Sequence, residues 1–314
     1  LRAGIDSKGL HHVGVDLTDA HACVAALGGL EGVTHVFYCA NAPQSSSRLA
    51  MLRNVLDAIE SGGAQLENVH LTQGTKYYGC HLGPFKLPAQ ETDPRVPGAD
   101  FYYGEEDFVR QRAHGKGWSW TALRPHAVCG YARGNPLNLA VVLAVYGSLQ
   151  RAAKAPFAFP STPASFETRF HAMDSELLAR AAIWCATTPA YGNQAFNINN
   201  GDGFRWQDIW PALAQFFELE AGGPQAPLLP EFLAAQREAW QRLGATHGLA
   251  PLPYEAMPRW VQGDYVAPSS RFACEYDVVV DLSKLRRYGF SERVDTTQMF
   301  LRLFARLRAE RVIP

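Results

Sequence analysis

The first chemical question is raised by two residues: Tyr102, in the stretch "DFYYGEED" (Asp100 to Asp107), and Lys76, in "TQGTKYYG" (Thr72 to Gly79). A tyrosine followed four residues later by a lysine puts both on one helix face, where the ammonium draws the phenol pKa down from about 10 toward neutrality. Here the charge at that spacing has the wrong sign. Tyr102 is followed by Glu106 and Tyr103 by Asp107, and a carboxylate there would raise the phenol pKa. A tyrosine-based site must then take its positive charge from another segment. Lys76, where the run Val69-His70-Leu71 opens into a loop, is the best-placed candidate. A phenol and an ammonium converging on one carbonyl oxygen would stabilise the oxyanion formed when a hydride reaches a substrate; removing one such donor costs about 10²- to 10³-fold in rate. The plainer alternative leaves Lys76 a solvated loop lysine and Tyr102 a core aromatic.

The elements that must position these side chains alternate between strand and helix through the first two-thirds of the chain, a pattern that predicts βαβ units around a mainly parallel sheet. Strands are expected at His12 to Asp16, at Val33 to Cys39 as a fully buried apolar run, at Val69 to Thr72, at Trp118 to Arg124 and at Ala195 to Asn199. Between them, helices are expected at about Ala20 to Ala26, along Leu49, Leu52, Val55, Leu56 and Ile59 with a stop at Gly62-Gly63, at Phe101 to His114 with Asp100 as N-cap, at Leu137 to Arg151, and at Asp174 to Thr187. Residues 79 to 100, rich in Pro and Gly, form a long irregular loop of the kind that is usually functional or disordered. Helices then dominate, at Trp206 to Phe217, about Pro230 to Leu243, and Thr296 to Arg308, with a structural closing segment Asp281 to Phe290 stopped by Gly289. The fold class is α/β: a Rossmann-like doubly wound parallel sheet, then a smaller, mostly helical C-terminal part covering the carboxyl ends of the strands, where ligands bind in such sheets.

Composition narrows the partners. A chain of 314 residues, 47% hydrophobic and 19% charged, with net charge −1 and pI near 6.9, has no electrostatic pull toward nucleic acid or anionic lipid. The longest apolar run, Leu139 to Tyr146, is far short of the roughly 20 residues a membrane span needs. Six cysteines without a C-x-x-C pair suggest neither a metal site nor a disulfide framework, and a cytoplasmic location fits best. A small molecule is the expected partner.

A doubly wound sheet invites a search for a glycine-rich turn that brings backbone to a pyrophosphate. None is found: Gly28-Gly29 with Gly32 lacks the spacing and precedes a strand. Either the protein binds no dinucleotide, or a first strand and glycine turn lie upstream of Leu1, the reading favoured by the absence of an initiating methionine and by Asp16-Leu17 at the end of a strand. Asp16 reads equally well as an N-cap for the following helix. Trp206 and Trp210, one turn apart, read as core, and His81 and His171 as loop or surface residues.

Several stretches in order carry a resemblance: "VTHVFY" (Val33 to Tyr38), "QGTKYYG" with "GPF" (Gly83 to Phe85), "DFYYGEED", "RPHAVCGY" (Arg124 to Tyr131), "NPLNL" (Asn135 to Leu139), "AFNINNGDGFRW" (Ala195 to Trp206) and the terminal "VIP". From about residue 12 to the end the chain resembles the progesterone 5β-reductase and iridoid synthase-like enzymes, an atypical branch of the extended short-chain dehydrogenases. The resemblance implies an NAD(P)-binding domain over residues 1–200 and a C-terminal substrate or cap domain over 201–314. It also implies NADPH, or alternatively NADH, as cofactor, and reduction of the carbon-carbon double bond of an enone. By position, Tyr102 and Lys76 would hold the enolate oxygen. Asp16 and Leu17 would meet the adenine, Tyr38 and Cys39 would lie along the cofactor, and Thr72 would sit near the nicotinamide ribose. Pro125, His126 and Val128 would flank the nicotinamide, and Phe85, Tyr103 and Asn138 would line the substrate pocket.

The chain also departs from the family. The arginines that recognise a 2′-phosphate are not in it, and after Tyr38 the segment "CANAPQSSS" is about half a dozen residues shorter than usual, which removes a pocket-wall residue. Three rivals stay open: a carbonyl reductase or nucleotide-sugar epimerase of the same fold, a non-catalytic redox sensor that binds the cofactor, and a fragment without activity of its own. The expected partner is an enone, with neither nucleic acid nor membrane, and with a homodimer left open.

Overall fold

In a computed structural model, residues 9–42, 45–99, 102–132, 138–261 and 274–314 are described. Successive side chains of a strand point to opposite faces, and this alternation sets the architecture. Four strands, β1 (His35–Tyr38), β2 (Asn68–Thr72), β3 (Ser119–Arg124) and β4 (Gln194–Asn197), run parallel in the order β1-β2-β3-β4. Val69 and Leu71 of β2 and Trp120 and Ala122 of β3 face Leu52, Val55, Leu56 and Ile59 of α2 (Ser45–Ser61) and Val109 of α3 (Tyr103–Ala113). Leu123 and Phe196 face the other way, onto Leu177, Ala181 and Cys185 of the helix Ser175–Thr187. Each leucine so buried contributes about 1.5–3 kcal/mol. Helices therefore lie on both faces, and the sheet is doubly wound.

A second core is built almost entirely of apolar side chains. The run Leu139 to Tyr146 becomes the start of helix Leu139–Ala153, buried from Leu139 through Gln150, as befits a helix that is hydrophobic all round. It packs with Phe157, Trp206, Trp210, Phe217 and Phe304. Trp206 and Trp210 are core residues as expected, and the Trp210 indole donates to the Phe157 carbonyl at 2.7 Å. Among the described residues, no helix is long and apolar enough to cross a membrane.

Several local expectations change. Residues 10–16 form no strand, because no described strand lies beside them to complete a ladder. The helix after them, α1 (Ala20–Leu27), is capped by Asp19, whose carboxylate accepts from the Ala22 N–H at 3.0 Å, and not by Asp16. Strand β1 is shorter than predicted, and Phe37 is 43% exposed, because helix Ser175–Thr187 packs over β2 and β3 and leaves the Phe37 face of β1 uncovered. The helix expected over Pro230 to Leu243 is two, Leu229–Ala235 and Arg237–His247, with the chain turning at Gln236. His171, read as a loop or surface residue, lies in a loop but is buried. The proposed cap Asp100 lies outside the described residues; the residue before α3 is Tyr102, which makes no side-chain cap bond.

Candidate active site

The carboxyl end of β2 is held well past the strand itself. Gln73 N–H donates to the Leu123 carbonyl at 2.8 Å and Thr75 N–H to the Pro125 carbonyl at 3.2 Å, so the β2–β3 ladder runs on into the one-turn 3₁₀ helix Thr75–Tyr78 that carries Lys76. The Thr75 hydroxyl also bonds the His126 ring at Nδ1. Gly79 ends the turn at φ +75°, the left-handed region that glycine enters without strain. Across from it, Ala127 sits at φ +37°, a conformation rare for a residue with a Cβ, and bends the chain directly after His126.

Tyr102 arrives from the other side, at the start of α3. Its hydroxyl lies over Gly74: a Cβ placed there would stand 2.9 Å from the phenol oxygen and 3.4 Å from the Pro125 carbonyl oxygen. Three segments, the ends of β2 and β3 and the start of α3, thus meet at Gly74. Lys76 is two residues beyond Gly74, and both Lys76 and Tyr102 are half-buried.

The carboxylates four residues after each tyrosine have partners of their own. Glu106, 2% exposed, accepts from Arg124 Nη2 at 2.9 Å and from Gln73 Nε2 at 3.0 Å. Arg124, 1% exposed, also donates through Nε to Gln73 Oε1 at 3.0 Å and through Nη1 to the Tyr78 hydroxyl at 2.9 Å, with its guanidinium 3.3 Å from the Tyr77 ring centroid. Tyr78 in turn donates to Asn197 Oδ1 of β4 at 2.6 Å. This closed set of charge-assisted bonds ties α3, the Lys76 turn and three strand ends together, and its satisfied partners are what make a buried ion pair tolerable. Asp107 is held bidentately by Arg95 at 2.6 and 2.7 Å. Neither acid is left to act on a phenol as a lone carboxylate.

Sequence reasoning missed three buried polar residues in this region. Arg48 is 1% exposed, with its guanidinium carbon 5.7 Å from the Tyr102 ring centroid, a cation over an aromatic face. The signal was available: Arg48 falls on the same helix stripe as Leu52, Val55 and Ile59, where a charge is out of place unless it has a task. Glu105, also buried, has its carboxyl pushed up to about 7 by burial, with Arg48 pulling it the other way. Gln73 is likewise buried and joins the Arg124 set. Burial, and after it Glu105, push the Tyr38 phenol up; that phenol donates to the Arg48 carbonyl at 3.2 Å.

The other expected site residues divide into two groups. Cys39 and Thr72 meet at the ends of β1 and β2, sulfur to hydroxyl 3.2 Å apart. Pro125 and His126, just after β3, bond the first residue of the Lys76 turn, with His126 packed edge-on to Phe170, and Val128 is half-buried in the two-residue pairing with Met173. These sit at or just beyond the carboxyl ends of β1, β2 and β3. Asp16 is exposed and accepts from the Thr18 N–H and hydroxyl, which hold its carboxyl below the usual range. The Leu17 carbonyl accepts from Asn54 Nδ2 at 2.9 Å. Tyr103 is buried, its hydroxyl donating to the Tyr77 carbonyl at 2.7 Å and accepting from Val96 N–H at 3.0 Å. Asn138 caps helix Leu139–Ala153, accepting from Val141 N–H at 3.2 Å and donating to the Gly130 carbonyl at 2.9 Å. Phe85 lines a cavity of about 430 Å³ with Tyr78, Gly79, Leu82 and Val96, formed by the loop after the turn.

A doubly wound sheet with polar groups converging at the carboxyl ends of its strands defines a Rossmann-type α/β protein. Residues 5–314 match the PRISE-like Rossmann-fold domain, and the chain belongs to that family. It is 29% identical over 318 residues to an (S)-8-oxocitronellyl enol synthase of Antirrhinum majus, covering 97% of this chain and 81% of that one. It is 30% identical over 308 residues to the short chain dehydrogenase gsfE of Penicillium aethiopicum, covering 90% and 80%. Among solved structures, it is similar in fold to UDP-glucose 4-epimerase of Thermus thermophilus in complex with NAD, at TM-score 0.65 and 17% identity over 98% of this chain and 89% of that one. RMD from Pseudomonas aeruginosa complexed with NADPH is also similar, at TM-score 0.63 and 13% identity over 94% and 87%. The family and these sequence relatives make the chain an oxidoreductase of the short-chain dehydrogenase type.

Proposed function

We propose that the protein is an NADPH-dependent reductase of α,β-unsaturated carbonyl compounds, with NADH as the alternative cofactor. When bound, the reduced nicotinamide supplies the hydride. In this reading Tyr102 and Lys76 hold the carbonyl oxygen of the substrate. Hydride arriving at the β-carbon moves the electron pair of the double bond toward that oxygen, and the phenol and the ammonium stabilise the resulting enolate. A proton at the α-carbon then completes a saturated ketone. Such paired donors act most strongly where water is excluded.

One observation carries this reading: the Tyr102 hydroxyl stands at the joined ends of β2 and β3, on the strand extension that bears Lys76, while the position that would hold a lysine in a Tyr-x-x-x-Lys site is Glu106, already bound to Arg124. Relatives named as enol synthases support it. The residues also suit a dinucleotide: the Thr72 hydroxyl and Cys39 thiol lie together at the strand ends. In this assignment Asp16 and Leu17 meet the adenine, Tyr38, Cys39 and Thr72 run along the cofactor, and Pro125, His126 and Val128 flank the nicotinamide. Phe85, Tyr103 and Asn138 shape the pocket, and residues 201–314 cover it.

The test is the fate of the hydride. The complete gene product, given 2-cyclohexen-1-one and NADPH deuterated on the transferred position, is expected to yield cyclohexanone labelled at the β-carbon. Label on the carbonyl carbon, in an allylic alcohol, would make it a carbonyl reductase instead.

A further inference from the structure

Gly74 has φ −177° and ψ 174°, an extended backbone open to any residue, so its conformation does not call for glycine. The space around it does. A Cβ there would lie 2.9 Å from the Tyr102 hydroxyl oxygen, 3.6 Å from its ring carbon Cε2 and 3.4 Å from the Pro125 carbonyl oxygen. The Pro125 carbonyl is pinned by the Thr75 N–H. The free end of the phenol is what must yield, by roughly half an ångström to restore ordinary van der Waals separation.

We infer that Gly74 is a positioning residue: its missing side chain sets where the Tyr102 hydroxyl rests relative to Lys76, two residues along the same strand extension. The inference rests on the proposed role of Tyr102 as the donor to the substrate oxygen. Moving the tip of one side chain costs the fold little, yet a misplacement of about 1 Å at a reacting centre can cost on the order of 10²-fold in rate.

The experiment is a double-mutant cycle on the complete gene product, with NADPH and 2-cyclohexen-1-one as the probe substrates. Gly74→Ala is expected to lower kcat roughly tenfold, with the NADPH dissociation constant and the melting temperature close to wild type. In a Tyr102→Phe background the same change should have no further effect on kcat, because the oxygen it displaces is gone and the remaining 3.6 Å contact to the ring is ordinary. A merely structural role for Gly74 would slow both backgrounds by the same factor, and that result overturns the inference. Wild-type turnover in Gly74→Ala alongside a slow Tyr102→Phe overturns it too, while leaving the assignment of Tyr102 intact. Wild-type turnover in Tyr102→Phe alone removes that assignment, and the inference with it.

Discussion

The end of the sheet beneath Tyr102 and the helical core around Trp206 and Trp210 are buried to the same degree but are held by different forces. The first is a set of directed bonds, in which Arg124 reaches Glu106, Gln73 and Tyr78 and each group has a partner at 2.9–3.0 Å. The second has rings packed on rings, such as Phe157 stacked on Trp210 with centroids 4.4 Å apart. Apolar packing is non-directional and survives small shifts. A charged network fixes distances and fails when one member is removed. The region proposed to hold a phenol and an ammonium in register is built as a charged network, and the region that only has to stay folded is built by apolar packing.

That contrast is open to direct attack. Glu106→Ala strands Arg124 without its counter-charge and should destabilise the fold by about 3–5 kcal/mol. Trp210→Ala should cost a similar 3–5 kcal/mol through the cavity it leaves. Urea denaturation measures both. They should part company in kcat measured on the folded fraction, which falls in the Glu106 variant and stays near wild type in the Trp210 variant. Equal kcat in the two would mean the network has no positioning role.

Glu105 sharpens the comparison through pH. Its folded carboxyl keeps its proton up to about 7, against an ordinary value of 4.5. The native state therefore binds a proton that the unfolded chain releases, and stability falls as pH rises from about 4.5 to 7, by on the order of 3 kcal/mol in total. Thermal denaturation across that window should show the slope in wild type and its loss in Glu105→Gln. The smallest effect belongs to Asp19→Ala, which removes the side-chain cap of α1 and should cost about 1 kcal/mol with no change in kcat.

The apolar region was legible in the sequence because periodicity records it: Leu52, Val55 and Ile59 mark a helix face, and Trp206 and Trp210 mark a core. Strand edges were harder to read. Nothing local in Val33 to Cys39 says that the helix covering its neighbours will miss it and leave Phe37 in solvent. Of the proposed site, a pairing of Tyr102 with Lys76 could be argued from the misfit of Glu106 four residues on. The bonds that occupy Glu106 could not, because Arg124 is 18 residues away from it and Gln73 is 51 residues away from Arg124. The crowding of Gly74 by Tyr102 is likewise a product of tertiary structure. Arg48 lay between these cases, since a charge on an apolar stripe is visible in sequence but its partner is not.

The most direct test of the account is steady-state turnover of 2-cyclohexen-1-one with NADPH by Tyr102→Phe and Lys76→Met, alongside cofactor binding followed by nicotinamide fluorescence. Each variant is expected to lose about 10²- to 10³-fold in kcat with cofactor affinity nearly unchanged. If both variants turn over at the wild-type rate, the two groups do not share a substrate oxygen and the assignment is wrong.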